Sequence, residues 1–128
     1  MNLTDYYGRF VKVIENYLNA GLIIDHKIEI DVRTDKLGLV RGTVKFINDS
    51  QLFFTEYIDL KYKTEKITYS YHYQDSEHNL IFRYDNAKHK SPLGFANHKH
   101  ISDSVIQSEI PDISTIFEEI FACIELFY

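Results

Sequence analysis

Hydrophobic positions along the chain follow two different periods, which predict helices at both ends and strands between them. From residue 4 to residue 19, apolar side chains recur at helical spacing, with Thr4 as the expected N-cap and Gly21 just beyond the last turn. The same spacing returns after Pro111, which suits the first turn of a C-terminal helix. Between the helices, apolar and polar residues alternate, which is typical of half-buried strands.

The alternating region predicts five strands and then a polar loop. The expected ranges are 24–32, 38–47, 51–62, 66–74 and 80–84, followed by the loop at 86–104, in which His98–Ile101 could add a short strand. Turns of only ~3–5 residues cannot hold parallel crossovers, so the sheet should be an antiparallel meander. The sequence therefore predicts one α+β domain over residues 1–128, with a curved sheet of five to six strands and both helices on one face.

Composition supports a single globular domain and suggests its compartment. The chain has 128 residues, of which 45% are hydrophobic and 26% charged, values typical of one packed core. Cys123 is the single cysteine, so no internal disulfide can form. The N-terminus lacks a signal-peptide pattern, and no apolar run approaches the ~18 residues of a membrane helix. We expect a cytoplasmic protein with no membrane association.

One window reverses the charge of the chain. Between Arg83 and His100, four fixed positive charges face one negative charge, a net of +3, whereas the whole chain carries −5 and the remainder therefore −8. The same window holds three of the six histidines. Arginine offers a planar fork to phosphate oxygens, and histidine exchanges protons near neutral pH, so this composition favours chemistry on a phosphodiester. Nearby tyrosines could stack on unpaired RNA bases.

These residues predict a metal-independent endoribonuclease. Arg83 would bind the scissile phosphate, and Lys99 would offset developing charge. His72 or His98 would act as the general base and His100 as the general acid, with Asp85 orienting Arg83 or a histidine. The expected catalytic set is His72, Arg83, Asp85, His98, Lys99 and His100, and the expected substrate-binding set is Glu56, Asn86, His89 and Lys90. Whether His72 shares a face with Arg83 depends on strand register, which the sequence leaves open.

Other interpretations of the same residues stay open. Arg83 and Asp85, two apart on a strand, could be only an ion pair, and the tyrosine-rich edge could serve a non-catalytic module that binds nucleic acid or an acidic protein. His98 and His100, with His89 as a third ligand, could hold zinc in a metal-dependent phosphoesterase, although our prediction includes no metal and no cofactor. Glu56 lies among apolar residues and either pairs with a cation or reaches solvent at a bulge.

Several motifs resemble the TumE-type proteins, small toxins of bacterial and archaeal toxin–antitoxin pairs. They are Tyr69–Gln74 (YSYHYQ), Leu80–His89 (LIFRYDNAKH), His98–His100 (HKH) and the helix after Pro111–Asp112. The resemblance spans roughly residues 50–122. One departure is Lys88, where a proline would be expected between Ala87 and His89.

The resemblance implies a toxin with a cognate antitoxin and a cytoplasmic target. Carried over to this chain, the polar positions are Glu56, His72, Arg83, Asp85, Asn86, His89, His98, Lys99 and His100. An acidic segment of the antitoxin is expected to contact Arg83, Lys90 and Lys99. Exposed sheet edges would also allow a homodimer.

Overall fold

The computed structural model describes residues 1–87 and 94–127. In chain order, its elements are α1 (Leu3–Asn19), β1 (Ile23–Val32), β2 (Leu37–Phe46), β3 (Gln51–Asp59), β4 (Glu65–Gln74), β5 (Leu80–Asp85), β6 (His98–Ile101), β7 (Ser104–Gln107) and α2 (Ile113–Phe127). The strands form one sheet in which each lies antiparallel to its sequence neighbours, so β1 and β7 are its edges. The predicted α+β class and antiparallel meander are confirmed.

Over the residues that the structure describes, the sheet has seven strands, where the sequence predicted five to six. The sixth is the predicted segment His98–Ile101, which pairs with β5. The seventh, Ser104–Gln107, was not predicted, and all four of its residues are exposed. A strand without a buried face shows no alternation of apolar and polar positions, so sequence periodicity has nothing to detect there. A tight turn with Ser102 at a φ of 41° joins these two strands.

The first helix begins with a capping box that Asn2 and Asp5 form. The Asn2 side chain accepts a hydrogen bond from the Asp5 backbone N–H at 2.9 Å, and the Asp5 carboxylate accepts one from the Asn2 N–H at 3.4 Å. This reciprocal pair satisfies two donors that the first helical turn leaves without partners. The prediction of Thr4 as the N-cap is therefore wrong, whereas Gly21 does follow the helix, with a φ of 76°.

The second helix starts later than predicted, whereas the first starts earlier. The Asp112 carboxylate accepts a hydrogen bond from the Thr115 backbone N–H at 2.9 Å, which caps the helix, and Pro111 lies ahead of the first turn instead of within it. Among the described residues, neither helix combines the length and the apolar character that crossing a bilayer requires.

Both helices pack on one face of the sheet, which we name the covered face. The ring of Phe10 in α1 stacks on Phe54 of β3 with centroids 5.4 Å apart, and Phe117 of α2 meets Phe46 of β2 at 5.9 Å. Phe54 lies over Gly42, where a Cβ would come within 2.7 Å of the ring. Each such buried aromatic side chain contributes about 1.5–3 kcal/mol, so this layer provides the core of the fold.

The opposite face, which we name the open face, has neither helix packed on it. Successive strand residues point to opposite faces, so each strand divides its side chains between the two. In β4, Tyr69, Tyr71 and Tyr73 are buried on the covered face, whereas His72 and Ser70 belong to the open face and are half-buried. The candidate site is built on this open face.

Candidate anion-binding site on the open face

Strand register brings three candidate residues into one row across the sheet. His72 of β4 lies opposite Arg83 of β5, and Arg83 lies opposite His100 of β6. The adjacent row joins Asp85 of β5 to His98 of β6. Directly opposed residues of antiparallel strands point to the same face, so all five side chains occupy the open face. The structure therefore answers the question that the sequence left open about His72 and Arg83.

Asp85 is the centre of this cluster, and it is only 4% exposed. Its Oδ2 accepts a hydrogen bond from Nε of Arg83 at 2.8 Å and lies 3.3 Å from Nε2 of His100. Its Oδ1 accepts one from the Ala87 backbone N–H at 3.2 Å and lies 3.3 Å from Nδ1 of His98. Burial by itself would raise the pKa of Asp85, but the hydrogen bonds from Arg83 and His98 outweigh it and lower the pKa.

His98 is committed to the fold on both sides of its ring. It is 3% exposed, its Nδ1 faces Asp85, and its Nε2 lies 2.8 Å from the backbone carbonyl oxygen of Phe95. The Phe95 ring also contacts the imidazole, with centroids 5.4 Å apart. Through these contacts, His98 joins Phe95 to Asp85 of β5 and stabilises the arrangement of the cluster.

Three side chains of the cluster reach the surface. The Arg83 side chain is 38% exposed and that of His100 is 23% exposed. His72 is half-buried, with Nε2 3.1 Å from Oε1 of Gln74 and Nδ1 3.5 Å from Nη1 of Arg83. An exposed guanidinium between two imidazoles is suited to binding an anion, because all three groups can donate hydrogen bonds.

Lys99 does not join this cluster. It alternates with His98 and His100 along β6, so its side chain lies on the covered face. There its Nζ is 3.0 Å from Oε2 of Glu119 in α2 and 4.8 Å from the ring centroid of Tyr84. Burial by itself would lower the pKa of Lys99, but its hydrogen bonds to Tyr84 and Glu119 raise it. The charge of Lys99 therefore contributes to the contact between the sheet and α2.

Glu56 also lies away from the cluster, on the covered face. It is fully buried, and its carboxylate accepts hydrogen bonds from Tyr6 at 2.5 Å and from Tyr71. Nζ of Lys66 lies 3.3 Å from the same carboxylate. Of the two interpretations of the Glu56 position, the cation pair is the one present in the structure. These contacts tie α1 to β3 and β4.

Of the remaining predicted site residues, one makes structural contacts and two are not described by the structure. The Asn86 side chain accepts a hydrogen bond from the Tyr69 backbone N–H at 3.1 Å and donates one to the Ile67 carbonyl at 3.0 Å, so it extends the pairing of β4 and β5. His89 and Lys90 lie outside the described residues.

A metal ion could contact part of the cluster. Among the described residues, the ligating atoms of Asp85, His98 and His100 lie within 4.8 Å of one another. The guanidinium of Arg83, however, already donates to the same carboxylate, and its fixed positive charge opposes a cation there. The donor set therefore suits an anion better than a divalent metal.

One neighbour of the cluster was missed by the sequence analysis. Phe53 of β3 lies opposite His72, and their ring centroids are 6.1 Å apart. It is 37% exposed on the open face. The sequence did contain a signal for it, because Phe53 breaks the alternation of a strand in which Leu52, Phe54 and Ile58 point to the core.

Fold and site together define a class of protein: a small α+β meander that covers one face with helices and carries an arginine–histidine–aspartate cluster on the other. No curated protein and no solved structure matches the chain. The family model described as "Toxin TumE" matches residues 11–127, and the chain therefore belongs to the TumE toxin family. It is a toxin component of a toxin–antitoxin system, which implies a cognate antitoxin as its partner.

Proposed function

We propose that this toxin acts on RNA as a metal-independent endoribonuclease and that its site is the open-face cluster. The observation that carries the proposal is the row His72–Arg83–His100, in which two imidazoles flank one exposed guanidinium on three adjacent strands. A guanidinium binds phosphate oxygens, and two histidines on either side can remove and return the protons that RNA cleavage requires. Adjacent strands are about 4.8 Å apart, so a phosphate over Arg83 is close to both imidazoles.

The proposed reaction uses only groups of this cluster. His72 removes the proton of the ribose 2′-hydroxyl, and the 2′-oxygen attacks phosphorus while Arg83 holds the phosphate oxygens. The bond to the 5′-oxygen breaks, and His100 donates the proton that this leaving oxygen takes up. The products are a 2′,3′-cyclic phosphate and a 5′-hydroxyl end. Arg83 also offsets the charge that develops on phosphorus, the task that the sequence analysis gave to Lys99.

Between the two histidines considered as the base, the geometry favours His72. The ring nitrogens of His98 face Asp85 and the Phe95 carbonyl, and the side chain is buried, whereas His72 lies beside the exposed guanidinium. We therefore assign Asp85 and His98 as positioning residues that hold Arg83 and His100 in place.

The test is cleavage of a single-stranded RNA by the purified toxin after its antitoxin has been removed. Arg83→Ala, His72→Ala and His100→Ala should each lower the cleavage rate about 100-fold or more. Arg9→Ala and His26→Ala are matched controls, because both residues are exposed and lie on α1 and β1. The proposal fails if the wild-type toxin leaves RNA intact, or if the Arg83 and His100 variants cleave as fast as it does.

Two further arms of this experiment separate the alternatives. Chelation with EDTA should leave the rate unchanged; loss of cleavage that added metal restores would replace the proposal with a metal-dependent phosphoesterase that uses Asp85, His98 and His100. RNA binding that weakens with salt but breaks no strand would indicate a binding module instead of a catalyst.

The antitoxin is proposed to inhibit by placing an acidic segment against Arg83. A carboxylate there would occupy the place of the phosphate and make the same paired hydrogen bonds. Arg83→Gln should therefore weaken the toxin–antitoxin complex about tenfold or more, measured by calorimetry, while Arg9→Gln should not. Equal affinity of the Arg83 variant and the wild type would contradict this mode of inhibition.

A further inference from the structure

We propose that a groove beside the cluster binds a nucleobase of single-stranded RNA, one that flanks the phosphate held by Arg83. This inference rests on the proposed nuclease function and adds a site to it. The groove lies on the open face across β1, β2 and β3, and its volume is about 330 Å³. That volume is at the lower end of the range for small-molecule sites, which is about 300–1,000 Å³.

Phe53 forms an aromatic wall of this groove and connects it to the cluster. It lies opposite His72, which in turn lies opposite Arg83, so the three side chains form a row on adjacent strands. Two strand spacings of about 4.8 Å place Phe53 about 10 Å from Arg83, a distance that neighbouring nucleotides of an extended strand can span. A base stacked on Phe53 would thus leave its phosphate near the guanidinium.

The charges around the groove complement a nucleotide. Lys27 and Arg41 both pair with Glu29, at 3.0 Å and 3.2 Å, and the Lys27, Arg41 and Glu29 side chains are 75%, 57% and 42% exposed. Two positive charges and one negative charge leave a net positive rim beside an apolar wall. An aromatic wall with a positive rim is the combination that proteins use to bind single strands, since the ring takes the base and the rim attracts the backbone.

The same geometry selects single-stranded over double-stranded RNA. A base can lie flat on Phe53 only after it leaves its stack, which costs little in a single strand. Within a duplex, the faces of the bases are already covered by their neighbours. The toxin should therefore bind and cleave unpaired RNA in preference to a duplex of the same sequence.

The experiment measures the binding of a short fluorescent single-stranded RNA, and its cleavage, for variants of the complete chain. Phe53→Ala and Phe53→Leu should bind about 5- to 150-fold more weakly, because both remove the π-face. Phe53→Tyr should bind like the wild type, and Tyr62→Ala is the control for an exposed aromatic residue, since Tyr62 is 90% exposed. Phe53→Leu keeps most of the apolar side chain and should preserve the fold, so its weaker RNA binding would reflect the lost aromatic ring.

Cleavage separates this inference from the proposed function. On a dinucleotide in which both ribose units are abasic, so that no base can stack on Phe53, the Phe53 variants should turn over like the wild type while Arg83→Ala stays inactive. Wild-type affinity of Phe53→Ala for the longer RNA would overturn the groove but leave the nuclease intact. Binding that depends on Phe53 without any cleavage would support the groove and overturn the nuclease. Equal affinity for duplex and single strand, or loss only of antitoxin binding, would also overturn the groove.

Discussion

Two buried carboxylates, on opposite faces of the same sheet, show how the surroundings of a charge decide its use. Glu56 on the covered face is 0% exposed and Asp85 on the open face is 4% exposed. Both accept several hydrogen bonds, as a buried charge must. By burial alone, the two sites would be judged alike.

The partners of the two carboxylates make the difference. Glu56 is surrounded by Tyr6, Tyr71 and Lys66, and the Lys66 side chain is itself only 8% exposed. The partners of Asp85 include Arg83, whose side chain is 38% exposed. The first cluster is sealed and serves stability, whereas the second presents a positive group to the surface. Of the two buried carboxylates, the one whose cation reaches solvent is the one that belongs to the proposed site.

The largest expected effect on stability comes from removing the Glu56 carboxylate. Glu56→Ala removes the acceptor of two tyrosine hydroxyls and leaves Lys66 buried without its counter-charge, so the free energy of unfolding should fall by about 3–5 kcal/mol. Denaturant unfolding followed by circular dichroism measures this change. Glu29→Ala, which breaks only exposed ion pairs, is the control and should change little. Similar stability of the two variants would show that the Glu56 cluster is not a stability element.

Alkaline pH should destabilise the protein through its buried tyrosines, two of which contact Glu56. Burial, followed by the charge of Glu56, raises the pKa of Tyr6 and Tyr71, and burial, followed by the charge of Asp85, raises that of Tyr69 to about 12. The unfolded chain ionises its tyrosines near the ordinary value of about 10. The stability linked to these groups is complete below that pH and is lost as the pH rises through the folded-state values.

Two measurements check this prediction. Tyrosinate absorbance should show a group of tyrosines that ionise only when the protein unfolds, and the unfolding midpoint should decrease from about pH 10 upwards. Complete ionisation of all tyrosines in the folded protein near pH 10 would contradict it.

Asp85→Asn should have a smaller effect on stability. The amide oxygen of the asparagine can still accept a hydrogen bond, and the exposed Arg83 can regain one to water, so we expect a loss of about 1–3 kcal/mol at neutral pH. The lowered pKa of Asp85 contributes stability that is present above its ordinary value of about 3.9 and disappears as the pH falls through its folded-state value. The variant should therefore lose less stability than the wild type on acidification. Parallel acid curves for the two proteins would contradict this account.

The smallest expected effect is that of Lys99→Met. The Lys99 side chain is 21% exposed and that of Glu119 is 33% exposed, so this pair should contribute less than about 1 kcal/mol. Because Lys99 lies on the covered face, RNA cleavage should proceed at the wild-type rate. A loss of cleavage with unchanged stability would return Lys99 to the catalytic set that the sequence predicts.

Some features of the site were readable from the sequence once the strands were recognised. The alternation in His98-Lys99-His100 puts the two histidines on one face and Lys99 on the other, and the spacing of Arg83 and Asp85 puts those two together. The prediction placed Lys99 with the histidines because of its charge, although this alternation places it on the opposite face of the sheet. The short strand β7 could not be predicted, because none of its residues is buried.

By itself, the sequence determined the antiparallel meander, the helices at its two ends and the segment that holds the cations and histidines, because periodicity and turn length are local properties. Only the tertiary structure decided that His72 meets Arg83 and that Glu56 meets Tyr6, fifty positions away along the chain. Register and helix docking depend on how distant surfaces pack, and a shift of one residue would send each side chain of a strand to the other face. The sequence therefore indicates which segments supply the residues of the cluster, whereas strand register and packing decide which of those residues meet.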